Sequence, residues 1–393
     1  EIRNCDWSSD VCSSDLPLGV RLRKVIEEFI DERPHVLEAG LAHVDFEGTR
    51  EEDLQVLRER IARVINAKGN LASPLRTPWQ AGLLDAYVRE AEDPETELPR
   101  WLSSAGVPAG IVVPIKACGI FPRVATEAKA QAELEGLLVR EEPPRNYKSF
   151  QEAKEHAQPE LQRLVQNKFV TLYKNWKDVL RRFGSTVASK LAAIVKTRKD
   201  GSVKCRLVID FRRSMVNGFV KATERVVLPR IRDVLADVVW LMRNVEADEE
   251  VELMVADFQD AFHTLPVAEA EKKFQTARTY DGQFLGFETI VFGGMASPLV
   301  WGRAGALLMR SGQALFDPVE LTIECYVDDP LIAAKGNRNQ RTRRFAVLLL
   351  WWQALGPRIS WPKVVGGKRL EWCGAEDRKS TRLNSSHSSV SRM

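Results

Sequence analysis

Two adjacent carboxylates, Asp328 and Asp329, sit inside the run Ile323-Glu324-Cys325-Tyr326-Val327-Asp328-Asp329-Pro330-Leu331-Ile332. An alternating apolar stretch precedes them and a second short one follows, which reads as strand, tight turn, strand with both acids at the tip. Side by side they repel, and a bound cation relieves that repulsion. Oxygen ligands of this kind suit Mg²⁺, which takes one or two carboxylates together with substrate phosphates. A solvated turn accounts for the same residues without chemistry, since Asp is common in turns.

A second acidic run bears on that choice. Val251, Leu253 and Val255 alternate with Glu252, Met254 and Ala256, a strand pattern that ends at Asp257. Phe258-Gln259-Asp260-Ala261-Phe262-His263 follows. For the two acidic runs to act as one site, the fold would have to bring their strands together.

Length and composition bound what that fold can be. The chain has 393 residues, 44% of them hydrophobic and 28% charged, and a net charge of +3. Those fractions are ordinary for a globular protein of two or three domains. The longest apolar run, Phe345 to Trp352, is too short to span a bilayer, so no membrane partner is expected. Six scattered cysteines form no CxxC pair and fit a reduced, intracellular setting. Residues 168–213 carry 13 basic and 3 acidic side chains, while 21–100 carry 12 basic and 17 acidic. The basic block lies just upstream of the acidic motifs and suits a phosphate-contacting surface or a solvated helix face.

The elements that must position these acids can be read in order. Glu1 to Leu16 and Arg378 to Met393 are polar and aperiodic, resemble translated adaptor or vector sequence, and lack signal-peptide character. Leu18 to Phe150 is mostly helical in pattern, with Val25, Ile26, Phe29 and Ile30 on one face and Leu54, Leu57, Ile61 and Val64 on another. Glu152 to Phe183 reads as one or two helices burying Leu161, Leu164, Val165, Phe169 and Leu172. Leu191 to Lys196 and Cys205 to Asp210 then read as a hairpin turning at Lys199-Asp200-Gly201-Ser202. Val226 to Trp240 is an amphipathic helix after Pro229, with Ile231, Val234, Leu235 and Val238 inward. Gly293-Gly294 lets backbone approach a ligand closely, and Ser297-Pro298 opens a helix. Arg338 to Leu355 is a helix with Phe345, Leu348, Leu349 and Trp352 inward and Arg341, Arg343 and Arg344 outward. Asp260 reads as solvated and His263 as structural. Pro330 suits the first residue of an edge strand and no other paired position.

From Lys190 to Ala375 the order of these motifs resembles the reverse transcriptases, those of long-terminal-repeat retrotransposons above all. The resemblance rests on Lys199-Asp200-Gly201 with Arg206 and Asp210-Phe211-Arg212, on Asp257 with Phe262, on Gly293-Gly294 with Ser297-Pro298, on Tyr326-Val327-Asp328-Asp329, and on Trp361-Pro362-Lys363. It implies an α+β right-hand polymerase: an antiparallel palm sheet backed by helices, and a fingers subdomain. The corresponding divisions are a non-native 1–16, a helical accessory region 17–150, fingers 151–250, palm 251–376 and a non-native tail 377–393.

By the same resemblance Asp257, Asp328, Asp329 and the Phe258 backbone hold two Mg²⁺ ions, with Mn²⁺ an alternative. Lys196 or Lys199, Arg206 and Lys363 meet the phosphates of a deoxynucleoside triphosphate; Arg offers a bidentate fork and Lys a mobile point charge. Phe262 is the ring that rejects a ribose 2′-hydroxyl, Gly293 and Gly294 border the nucleotide, and Tyr326, Trp372 and Gly374 contact primer and template. The implied partners are an RNA or DNA template with its primer, and the implied activity is RNA-directed DNA synthesis. The alternatives are a non-catalytic nucleic-acid-binding remnant of a retroelement polyprotein, or an RNA-dependent RNA polymerase, against which Phe262 argues.

Overall fold

The computed structural model describes residues 12–36, 49–124, 131–139, 141–143, 145–197, 201–243, 245–367, 369–372 and 375–378. It is an α+β structure of antiparallel sheets backed by helices. Helices α1 (Cys12–Glu32), α2 (Glu51–Val64) and α3 (Ala81–Glu90) lead into a connecting segment, then α4 (Lys154–Gln166) and α5 (Trp176–Phe183). Further on come α6 (Ile231–Met242), α7 (Ser297–Gln313) and α8 (Arg338–Leu355). Helix α1 begins at Cys12, inside the stretch whose sequence has no visible period.

One four-stranded sheet carries the acids. Its strands are β5 (Glu250–Val255), β8 (Leu321–Tyr326), β9 (Asp329–Gly336) and β10 (Val365–Gly367), in the order β10-β5-β9-β8. Every neighbouring pair is antiparallel, Val255 facing Leu331 and Tyr326 facing Asp329. The alternation of β5 sends Leu253 and Val255 toward Val234 and Val238 of α6, and Met254 into the main core. Both faces of the sheet are therefore covered.

The second four-stranded sheet has the order β1-β7-β6-β2, from β1 (Val170–Tyr173), β2 (Ala188–Ser189), β6 (Thr276–Arg278) and β7 (Phe284–Phe287). Only β2 and β6 run parallel. Strand β1 falls within the stretch that reads as one or two helices, and it leaves Leu172 exposed rather than buried. Strands β3 (Leu191–Thr197) and β4 (Val203–Ile209) form the expected basic hairpin, with Lys196 opposite Lys204. A last hairpin joins β11 (Arg369–Trp372) to β12 (Ala375–Arg378), a strand that enters the stretch read as an aperiodic tail.

Helix α8 spans Arg338–Leu355 as the sequence indicates, but its arginines are not on a free surface. Arg341 and Arg344 face the sheet, buried against Glu252 of β5 and against Glu320 just ahead of β8 at 2.8 and 2.7 Å, while Arg343 pairs with Asp31 of α1 at 2.6 Å. Burial of an arginine is tolerable here because each finds a carboxylate. Helix α6 departs in the opposite sense. Val234 and Leu241 are buried, whereas Ile231 and Leu235 are 47% and 57% exposed. Its sequence is apolar on two faces, and only the face at 234, 238 and 241 meets the sheet.

The N-terminal region shares the same core: Trp79 packs edge-on to Trp301 of α7, and Tyr87 edge-on to Trp351 of α8. After a short π-helical turn, Trp101–Ala105, residues 106–124 are not helical. They are pinned by buried carboxylates. Glu271 accepts the amides of Ile111 and Val112 at 2.8 and 2.7 Å, and Glu224 those of Cys118 and Gly119. The tightest link is between Glu95 and Arg303, both fully buried and joined at 2.5 and 2.6 Å, with the guanidinium 4.8 Å above the Trp101 ring and donating to the Lys116 carbonyl.

Replacing Glu95 by Ala strands a charged guanidinium in the core. Chemical denaturation should show a loss of about 3–5 kcal/mol, much of it recovered in the double variant Glu95→Leu/Arg303→Met. A single variant as stable as the parent would show that this pair does not hold the N-terminal region in place.

Candidate active site

Pairing beyond the ends of the strands assembles the acids. The Ala256 amide donates to the Pro330 carbonyl at 3.0 Å, and the Phe258 amide to the Asp328 carbonyl at 3.1 Å. Asp257, between them, is thereby drawn alongside the β8–β9 turn. That turn consists of Val327 and Asp328, with Val327 at φ 60°. A positive φ is costly for a β-branched residue and holds only where neighbours fix it. Here the Trp301 indole donates to the Val327 carbonyl at 2.8 Å, and the Trp372 indole to the Asp329 carbonyl at 2.9 Å. Strand β9 is an inner strand, not an edge. The ladder runs through Pro330 opposite Cys325, and the proline serves as an acceptor where no donor is needed from it.

The three carboxylates sense one another. Burial, then the charge of Asp257, pushes the Asp328 carboxyl above its ordinary range. Burial, then Asp328 and Asp257, raises Asp329 to about 7, and Asp329 shares a hydrogen bond with Asp257. Lys363, on the short turn after α8, sets its ammonium 2.6 Å from Asp257 Oδ1. The Lys363 ammonium offsets part of the cluster's negative charge. Among the described residues no three His, Cys, Asp or Glu side chains stand in an arrangement that holds a metal ion as they are. The donors are nonetheless hard oxygens in charge excess, a set that suits Mg²⁺ or Mn²⁺ once the ammonium gives way.

The acids open onto a cleft of about 620 Å³. Arg206 of β4 lines it, as do Lys204, Phe262, Tyr326 and Lys363. Phe258 also borders it while its ring packs on Trp301 and Trp352. Lys196 is absent from the lining; it faces Lys204 across the hairpin, one strand further out. Lys199 and Gly374 lie outside the described residues. Tyr326 meets Trp372 edge-on at 6.2 Å, beside the acids.

Gly293 makes room for a neighbouring strand. Gly293 adopts φ 107°, and a Cβ there would stand 2.1 Å from the Ile209 carbonyl oxygen. The glycine admits the end of β4, and neither glycine lines the cleft. Asn217 secures this junction, donating to the Gly293 carbonyl and accepting from the Met295 amide, each at 3.0 Å.

The junction delivers a residue the motif reading passes over. Phe292 packs at a tilt against Phe262, ring centres 4.8 Å apart, and lies under the Arg206 guanidinium at 5.8 Å. An aromatic immediately before the glycine pair was the available signal. Asp260 is likewise not simply solvated: both its oxygens accept from Arg163 of α4, at 2.8 and 2.9 Å. His263 is structural. Its Nδ1 lies 2.9 Å from the Thr289 hydroxyl and its ring stacks on Phe169 at 5.0 Å.

No family model and no curated protein matches the chain. Solved structures similar to it include the foamy viral protease-reverse transcriptase dRH in complex with double-stranded DNA, at 15% identity and a TM-score of 0.45, over 73% of this chain and 46% of that one. The foamy viral protease-reverse transcriptase with double-stranded DNA gives 14% and 0.43, over 90% and 55%. The same protein with an RNA/DNA hybrid gives 14% and 0.44, over 83% and 35%. The chain thus spans about half the length of the first of these structures. Among the described residues no helix is long and apolar enough to cross a membrane.

His263 supplies a test of the site's wall. Burial lowers its pKa to about 4 from 6.5, so the unfolded chain binds the proton first as pH falls. The stability it contributes is complete above pH 6.5 and is lost between there and pH 4, at up to about 1.4 kcal/mol per pH unit. Urea titrations of the parent and His263→Gln should differ in slope across this window. Parallel pH profiles would mean the imidazole is not held neutral.

Proposed function

We propose that the chain is a template-directed nucleotidyltransferase that copies RNA or DNA into DNA from a primer. The observation that carries this reading is the pairing of β5 with β9, which sets Asp257 against Asp328 and Asp329 in a cleft also lined by Arg206 and Phe262. Asp257, Asp328, Asp329 and the Phe258 backbone would hold two divalent ions, Mg²⁺ or Mn²⁺. When bound, such ions supply charge stabilisation and activation of the primer 3′-hydroxyl without a side-chain nucleophile.

The residues of the chain do the rest. Arg206, resting on Phe292, presents its guanidinium to the triphosphate of the incoming deoxynucleotide. Phe262 packs beneath the sugar, where Phe292 prevents its ring from turning aside, and a ribose hydroxyl would clash. Lys363, once freed from Asp257, can offer its ammonium to the departing pyrophosphate. Trp372 keeps the acidic turn in register while Tyr326 faces the primer end.

A second reading, a nucleic-acid-binding protein without catalysis, draws on the Lys363–Asp257 contact, which closes the acids upon an internal cation. An RNA polymerase is the nearer competitor. Extension of a primed template by the purified chain separates all three. With Mg²⁺, the parent should incorporate deoxynucleotides, and Asp328→Asn should lose at least about a hundredfold in rate with an unchanged circular dichroism spectrum. Undiminished incorporation by that variant would contradict the assignment.

Phe262→Ala should raise ribonucleotide use relative to deoxynucleotide by about 10–200-fold, the range for opening a tight apolar contact. An unchanged ratio would remove Phe262 from sugar selection.

A further inference from the structure

A second groove, of about 980 Å³, lies behind the wall that carries Phe262 and shares Gln259, Asp260 and His263 with the catalytic cleft. Its charges divide unequally. The acids on its surface are engaged: Asp260 by Arg163, Glu269 by Lys272 at 3.0 Å, and Glu288 by Lys272 at 2.6 Å and by the Thr171 hydroxyl. Arg76, Lys168 and Arg358 are exposed and, among the described residues, make no ion pair or side-chain hydrogen bond.

These cations come from separate parts of the chain, yet each carrier is fastened to residues 259–264. Thr77, next to Arg76, donates its hydroxyl to the Thr264 carbonyl at 2.6 Å. The Arg358 carbonyl accepts the Gln259 amide at 2.8 Å. Phe169, next to Lys168, stacks on His263. The positive lining is therefore fixed to the segment that follows Asp257.

We propose that this groove holds the sugar–phosphate backbone of a single-stranded nucleic acid, an inference that rests on the polymerase reading for the identity of the strand. Unpaired Arg and Lys side chains are the usual donors to phosphate oxygens. The groove's aromatic, Phe169, is taken up by His263, which leaves no platform for stacked bases and favours a backbone contact over a nucleotide one. The trough is also far larger than one phosphate needs.

The test is equilibrium binding of the whole chain to a fluorescent 20-mer of deoxythymidine, without metal, between 50 and 200 mM KCl. The triple variant Arg76→Gln/Lys168→Gln/Arg358→Gln should bind about tenfold more weakly, and its slope of log K against log salt should be shallower by about 2, about 0.7 for each lost single-strand phosphate contact. Its thermal melting should match the parent's, since the replaced side chains are exposed. Equal affinity and slope in parent and variant would overturn the proposal, as would a parent that does not bind the 20-mer. Loss of pyrophosphate binding with unaltered 20-mer binding would assign the groove to a free polyphosphate instead, and equally overturn it. Because the assay involves no incorporation, a groove that fails in an active polymerase, and an inactive chain whose groove binds, are distinguishable outcomes.

Discussion

Three carboxylates drawn together by backbone hydrogen bonds are the constraint from which most of this architecture follows. Left alone, Asp257, Asp328 and Asp329 would push β5 and β9 apart. The sheet resists because the strand pairing continues through Ala256 and Phe258, past the last residues of the strands. Two indoles grip the carbonyls on either side of the acidic turn, and both belong to buried tryptophans. Part of the cost of the charge is met locally by the Lys363 ammonium, 2.6 Å from Asp257. A cluster of this kind stores affinity for cations, since whatever neutralises it relieves the repulsion.

The surroundings are arranged to keep that cluster rigid on one side and accessible on the other. Below it, Trp301 and Trp352 pack on Phe258, and α7 and α8 fill the space to the N-terminal helices. Buried ion pairs such as Glu95–Arg303 fix that region to α7 rather than leaving it to swing. Above it, Arg206, Phe292 and Phe262 form a contiguous series from cation to ring to ring. The glycine at 293 exists so that β4 can approach closely enough to complete this series.

What could be read from the residues alone was whatever has a local signature. The alternation at 251–255, the paired acids, the hairpin at 191–209, Pro298 at a helix start and the limits of α8 all appear in the structure where the sequence places them. The sheet β1-β7-β6-β2 escaped notice because its strands are two to four residues long and β7 is buried throughout, with no alternation to detect. The inward arginines of α8 and the outward Leu235 of α6 depart from the sequence pattern for a related reason: side-chain polarity predicts burial only when the partner element is known, and Glu252 and Glu320 are remote in sequence. Gly293 shows the same limit, since its conformational need is legible but the neighbour it serves is not.

Binding of Mn²⁺ followed by electron paramagnetic resonance probes the acidic cluster most directly, without substrate or turnover. The account predicts that the parent chain removes Mn²⁺ from solution, that Asp257→Asn abolishes this, and that Lys363→Met, which takes away the competing ammonium, tightens it. A parent that leaves Mn²⁺ free, or an Asp257→Asn variant that binds it equally well, would contradict the account.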